Sequence, residues 1–133
     1  MEGKNNLMSI LAECEDCGRK FSVNKDNLNQ REFTTNEQSI FLTYYDCPSC
    51  GRRHYVQIDN WKSMSIYKDA KRQMTKLMVL RRKDKIIPQK QQAKFEKTRK
   101  HLARIRTNLM KDYTGKLIHD NETDVDFELK FSV

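Results

Sequence analysis

Glycine and proline are scarce in this chain, four and two among 133 residues, and there is a single tryptophan. So few glycines leave no room for a glycine-rich loop that cradles phosphate. No run of about 18 apolar residues occurs, which excludes a membrane-spanning helix. Apolar residues make up only 37% of the chain, so any core is small. The three histidines are scattered and the carboxylates show no paired spacing on a common face, so no constellation of nucleophile, base and oxyanion donors emerges. A binding protein is expected rather than an enzyme. The opening residues Met1 to Asn6 lead into no apolar signal segment, and the expected setting is therefore reducing and cytoplasmic.

What the chain has in excess is positive charge, and it is unevenly placed. The net charge of +8 hides three segments. Residues 1–59 carry 7 Lys and Arg against 9 Asp and Glu, residues 60–113 carry 17 against 4, and residues 114–133 carry 2 against 5. All of the basic excess lies in the middle. An anionic partner, nucleic acid or a nucleoprotein complex, is expected to meet the protein there.

The other concentrated feature is a pair of cysteine doublets, Cys14-Glu15-Asp16-Cys17-Gly18 and Cys47-Pro48-Ser49-Cys50-Gly51, which contain every cysteine of the chain. A two-residue gap lets a tight turn aim both sulfurs at one centre, and the following glycine turns the chain back with positive φ at no Cβ penalty. Two such turns supply four thiolates, a closed tetrahedral set suited to structural Zn²⁺ at roughly 2.3 Å per bond. Two disulfides would consume the same residues but need an oxidising compartment, and a thioredoxin-like redox role needs one C-x-x-C near a βαβ pattern. Neither context is present in the sequence. Four thiolates also leave no open position for a catalytic water.

The two C-x2-C-G units resemble those of zinc ribbons. In that family such knuckles sit on hairpin turns of a small antiparallel sheet, and the resemblance implies one structural zinc held by Cys14, Cys17, Cys47 and Cys50. It covers residues 1–59. The remainder has the general look of a small phage or mobile-element protein and resembles no named family.

Within the first segment, Leu7 to Ala12 reads as an opening strand and Lys20 to Val23 as its return. Asn24 to Arg31 is polar and reads as a loop or a helical turn. Phe33 to Thr35 and Ile40 to Tyr45 are strand-like, with a turn at Thr35 to Gln38, and Arg53 to Ile58 forms the last strand. His54 could serve as a spare ligand, but with four cysteines present an exposed strand histidine is expected.

From Asp59 the apolar period lengthens to about 3.6. Asp59 or Asn60 can cap a helix whose apolar face is expected at Met64, Tyr67, Ala70, Met74, Leu77 and Met78. Lys68, Arg72, Lys76 and Lys83 stand opposite. A second helix over residues 89–113 has a seam of Phe95, Thr98, Leu102, Ile105 and Leu109, with Lys97, Lys100, Arg104 and Lys111 across from it. Pro88 separates the two and Gly115 stops the second, giving an antiparallel hairpin. Trp61 lies off the apolar face. It is expected to pack, the alternative being an exposed stacking residue. Residues 114–133 end in a strict alternation, Val125, Phe127, Leu129, Phe131 and Val133, that predicts a half-buried strand. Lys116 to His119 is its expected partner across an Asp120–Thr123 turn.

The predicted fold is thus α+β: a small antiparallel ribbon sheet (1–59), a long basic helical hairpin (60–113) and a C-terminal strand or hairpin (114–133). The expected function is phosphate-backbone binding to DNA or RNA through the eight cations named above, with Arg72 or Arg104 able to reach a guanine edge. The alternative is an accessory or inhibitor protein docking on a larger nucleoprotein machine, for example an anti-CRISPR or transcription-modulating phage protein. In either case residues 125–133 could pair with another chain through a strand edge.

Overall fold

The computed structural model describes residues 10–35, 38–83 and 85–132. It is a mixed α+β protein, with seven strands and two helices among the described residues. The strands are β1 (Ile10–Glu13), β2 (Lys20–Val23), β3 (Asn29–Thr34), β4 (Ser39–Asp46), β5 (Arg53–Asp59), β6 (Leu117–Asp120) and β7 (Val125–Glu128). The helices are α1 (Trp61–Arg82) and α2 (Gln89–Tyr113). Two compact units result: one from residues 1–58 and 113–133, the other from residues 59–112.

The first unit holds three small sheets, β1-β2, β3-β4-β5 and β6-β7. In β1-β2 the antiparallel register sets Ile10 opposite Val23 and Glu13 opposite Lys20. Of the expected opening strand, Leu7 to Ser9 lie outside the described residues. β4 is the central strand of its sheet, and central position explains its near-continuous apolar run: Ile40, Phe41, Leu42, Tyr44 and Tyr45 are all buried. Ile40 and Leu42 are fully covered, each contributing about 1.5–3 kcal/mol by burial. β3 starts at Asn29 rather than Phe33, because its polar residues Asn29, Gln30 and Arg31 pair with Tyr44, Thr43 and Leu42. Backbone pairing with a well-buried strand overrides the low strand propensity of asparagine.

The C-terminal stretch departs from an uninterrupted strand. β7 stops at Glu128, Leu129 continues as a rung with the N–H of Gly115 and the carbonyl of Lys116, and Phe131 bridges Tyr55 in parallel. The Ser132 N–H donates to the Tyr55 carbonyl at 2.8 Å. Part of the proposed pairing edge is thus engaged within the chain. The turn runs through Asp124, whose φ of +56° is one that aspartate tolerates, and the Asp124 N–H donates to the Asp120 carbonyl at 2.7 Å.

Two contacts distant in sequence hold this unit's parts together. Phe33, Tyr55 and Phe127 form an aromatic cluster, edge-to-face between Phe33 and Phe127 at 5.8 Å and stacked between Tyr55 and Phe127 at 5.3 Å. Beside it Arg31 of β3 makes a forked pair with Asp120 at the end of β6, 2.8 Å and 3.4 Å. That guanidinium draws the Asp120 carboxyl down to about 2.

In the second unit, Asn60 caps α1 through a full capping box. Its side chain accepts from the Ser63 N–H, and its own N–H donates to Ser63 Oγ, both at 2.9 Å. Arg106 of α2 reaches back to Asp59 and lies over the Tyr67 ring. Gln73 and Leu77 line a small cleft with Gln91 and Lys94. These contacts pair the start of α1 with the end of α2 and the end of α1 with the start of α2, so the hairpin is antiparallel.

The inward face of α1 is the expected one only in part: Met64, Ala70 and Leu77 are buried or half-buried as expected. Ser63, Ile66, Ala70, Gln73, Leu77 and Leu80, spaced 3-4-3-4-3, are buried or half-buried, while Tyr67, Met74 and Met78 are exposed. Two members of this stripe, Ser63 and Gln73, are polar, so a hydrophobic pattern does not mark them. The α2 seam runs as expected, with Leu102 and Leu109 buried and Phe95, Thr98 and Ile105 half-buried. α2 ends at Tyr113, two residues before Gly115 at φ +86°. No helix among the described residues is long and apolar enough to cross a membrane.

Candidate metal centre and basic hairpin

Each cysteine doublet occupies the loop of a strand hairpin, the first between β1 and β2, the second between β4 and β5. The two loops repeat one hydrogen-bond pattern. The Cys14 N–H donates to the Arg19 carbonyl at 2.9 Å, and the Gly18 N–H returns to the Cys14 carbonyl at 2.8 Å. The Cys47 N–H donates to Arg52 at 2.8 Å, and the Gly51 N–H returns to Cys47 at 2.9 Å. Gly18 and Gly51 take φ of +74° and +77°, left-handed geometry that a Cβ would strain. An ion pair of 2.8 Å between Arg52 and Asp16 ties one loop to the other.

The four sulfurs converge, all within 4.8 Å of one another. Across the loops Cys14 and Cys50 are 3.5 Å apart, and Cys17 and Cys47 are 3.6 Å apart. A tetrahedron with bonds of roughly 2.3 Å has edges of about 3.8 Å, so the donor set fits a tetrathiolate ion such as zinc. Sulfurs so close cannot all ionise without a cation among them. The Cys50 N–H, opposed by burial and aided by the Ser49 N–H, draws the Cys47 thiol down to about 6. At Cys50 the Arg52 N–H pulls downward, but the contact with Cys14 and burial outweigh it and push that thiol up to about 12. A bound divalent ion would remove this conflict by replacing the protons.

Cys14 and Cys47, first in each loop, are buried, whereas Cys17 and Cys50 are exposed. His54 is not an exposed strand histidine: only 3% of it meets solvent. It stacks on Tyr45 at 5.1 Å and shares a 3.0 Å hydrogen bond between Nδ1 and Ser132 Oγ. Its Nε2 is buried without a hydrogen-bond partner among the described residues, and it does not join the cysteine cluster found there. Burial follows from the C-terminal residues that return to β5, a contact 78 positions away.

On the hairpin, Lys68, Arg72, Lys76, Lys83, Lys97, Lys100, Arg104 and Lys111 are all exposed. Arg72 pairs with Asp69 one turn back. The other seven make no ion pair among the described residues. Arg106 is a different kind of cation. Its Nε donates to Asp59 Oδ1 at 2.8 Å, Asp59 is fully buried, and Ser63 Oγ donates to the same oxygen at 2.7 Å. Charge counting could not separate this structural arginine from its solvated neighbours. Trp61, expected to pack, leaves 64% of its surface exposed. Comparison with protein-family models, with curated proteins and with solved structures finds no match to this chain.

Proposed function

We propose that the chain is a zinc-ribbon protein that binds nucleic acid, contacting the phosphate backbone through its basic helical hairpin. The observation that carries this reading is the cation surface of the second unit, relieved on its exposed faces only by the Arg72–Asp69 and Arg99–Glu96 pairs among the described residues. Residues 59–112 hold 17 Lys and Arg against 5 Asp and Glu, and one of those acids, Asp59, is buried on Arg106. An inert solvated helix mixes signs to gain i,i+4 pairs, and unrelieved like charges at helical spacing cost stability. A polyanion removes that cost. The zinc is structural, since four thiolates leave it no open position, and thiols kept as ligands suit a reducing compartment such as the cytosol. The protein is a binder rather than an enzyme.

Phosphate contact has a distinctive signature, because each neutralised phosphate releases counterions. Affinity for a labelled oligonucleotide should fall steeply with salt. Alanine at Lys97, Lys100 or Arg104 should lower the log–log slope by roughly 0.7–0.9 apiece. Affinity unchanged between about 50 and about 200 mM salt would sink the reading.

One observation favours a second reading. Tyr67, Met74 and Met78 form an exposed apolar strip on α1, which suits docking on a protein surface of a larger machine. A one-to-one protein complex that persists after nuclease digestion and at high salt would favour it.

A further inference from the structure

We infer that the hairpin's target is single-stranded, with an unpaired base stacking on Trp61 while Lys68, Arg72 and Lys83 follow the backbone. This rests on the nucleic-acid reading above and sharpens it.

Each helical residue turns about 100°, so Lys68 and Arg72 fall within about 20° of Trp61 around α1, and Lys83 within about 40°. They share one stripe, with Lys68 about 10 Å and Lys83 about 33 Å along the axis from Trp61. All four side chains are exposed. The Arg72–Asp69 pair is itself exposed and therefore weakly held against a competing phosphate. An indole at the head of a cation stripe is the combination that binds single strands: the ring offers a stacking face to a base, and the cations track the phosphates.

The platform is fixed in place. Trp61 is the first residue of α1, directly after the Asn60–Ser63 capping box, and Ser63 is in turn hydrogen-bonded to the buried Asp59 that Arg106 grips. The backbone carrying the indole is therefore held by four polar groups, so little ordering is needed when a base arrives. A duplex could use the cations but not the ring, since its bases are already stacked on one another.

Trp61 is the chain's only tryptophan, so its fluorescence reports on this position alone. The test uses the full zinc-loaded chain with oligo-uridine and oligo-deoxythymidine of about a dozen nucleotides, and a duplex of equal length. Binding is followed by anisotropy of a label on the nucleic acid and, separately, by tryptophan emission. The expected result is quenching by the single strands, with W61A weakening single-strand binding about tenfold, W61F recovering part of the loss, and duplex binding unchanged. K68A/R72A should weaken both forms alike. Single-strand binding by the wild type with no change in emission, and equal affinity for W61A, overturns the stacking inference while leaving phosphate contact standing. No binding of any oligonucleotide at low salt overturns the underlying reading as well. Comparing oligo-uridine with oligo-deoxyuridine, which differ only in the 2′-hydroxyl, decides between RNA and DNA.

Discussion

Replacing Arg106 with methionine keeps much of the side chain's apolar bulk but takes the cation from Asp59. In the native hairpin that carboxylate is wholly shielded from water and receives Arg106 Nε at 2.8 Å, Nη2 at 3.4 Å and Ser63 Oγ at 2.7 Å. Removing one partner of a buried pair costs about 3–5 kcal/mol, because the stranded charge has lost its hydration without compensation. The Ser63 hydroxyl remains, which places R106M near the lower bound, about 3 kcal/mol. D59N should cost less, about 1–2 kcal/mol, since the half-exposed guanidinium can turn to water and the amide oxygen still accepts from Ser63. If the pair acts as a unit, the double variant is less damaged than the sum, with a coupling of about 2 kcal/mol. Urea unfolding of the zinc-loaded chain, followed by helical circular dichroism, measures all three. R99M is the control: it breaks the exposed Arg99–Glu96 pair and should change stability by no more than about 0.5 kcal/mol. If R106M proved as harmless as R99M, the claim that this ion pair organises the hairpin would be refuted.

Three further outcomes are expected. Metal analysis of the native chain should return one zinc per molecule, and C14S or C47S should abolish tight binding while sparing the helical signal of the second unit, read by metal assay and circular dichroism. H54F should keep that stoichiometry and change the melting temperature little, because it removes a buried Nε2 with no partner among the described residues but also the hydrogen bond to Ser132; loss of zinc in this variant would reinstate the histidine as a ligand. His119, 2.7 Å from Asp126, should titrate above the 6.5 of a free imidazole, chiefly through that hydrogen bond. Its stabilising effect is then complete below pH 6.5 and disappears as pH rises through the native value, so D126N should lower the NMR-observed titration and destabilise only on the acid side.

The cysteine knuckles, the strands that flank them and the two-helix hairpin were all readable from the chain, because each is written in local spacing: C-x2-C-G, period two, period 3.6. What escaped was written in contacts between distant residues. The burial of His54 depends on Ser132, and the anchoring of β6 depends on Arg31 meeting Asp120 across 89 positions. The part of the α1 face that differs from expectation escaped for another reason. Hydrophobic periodicity weighs Met74 and Met78 heavily and Ser63 and Gln73 not at all, yet the polar pair lies inward. Among the cations, Arg106 looks like its neighbours in the sequence, because its acid lies two elements upstream, at the end of β5.

The sulfur arrangement divides shelter evenly. Every loop contributes one sheltered thiolate and one facing the medium, so a chelator or oxidant approaching the centre meets Cys17 and Cys50 before the others. Those two belong to different hairpins, so stripping either one from a shared ion would loosen both loops and leave the Arg52–Asp16 pair to tie them. Loss of a bound ion would therefore start at the rim and slacken both loops at once.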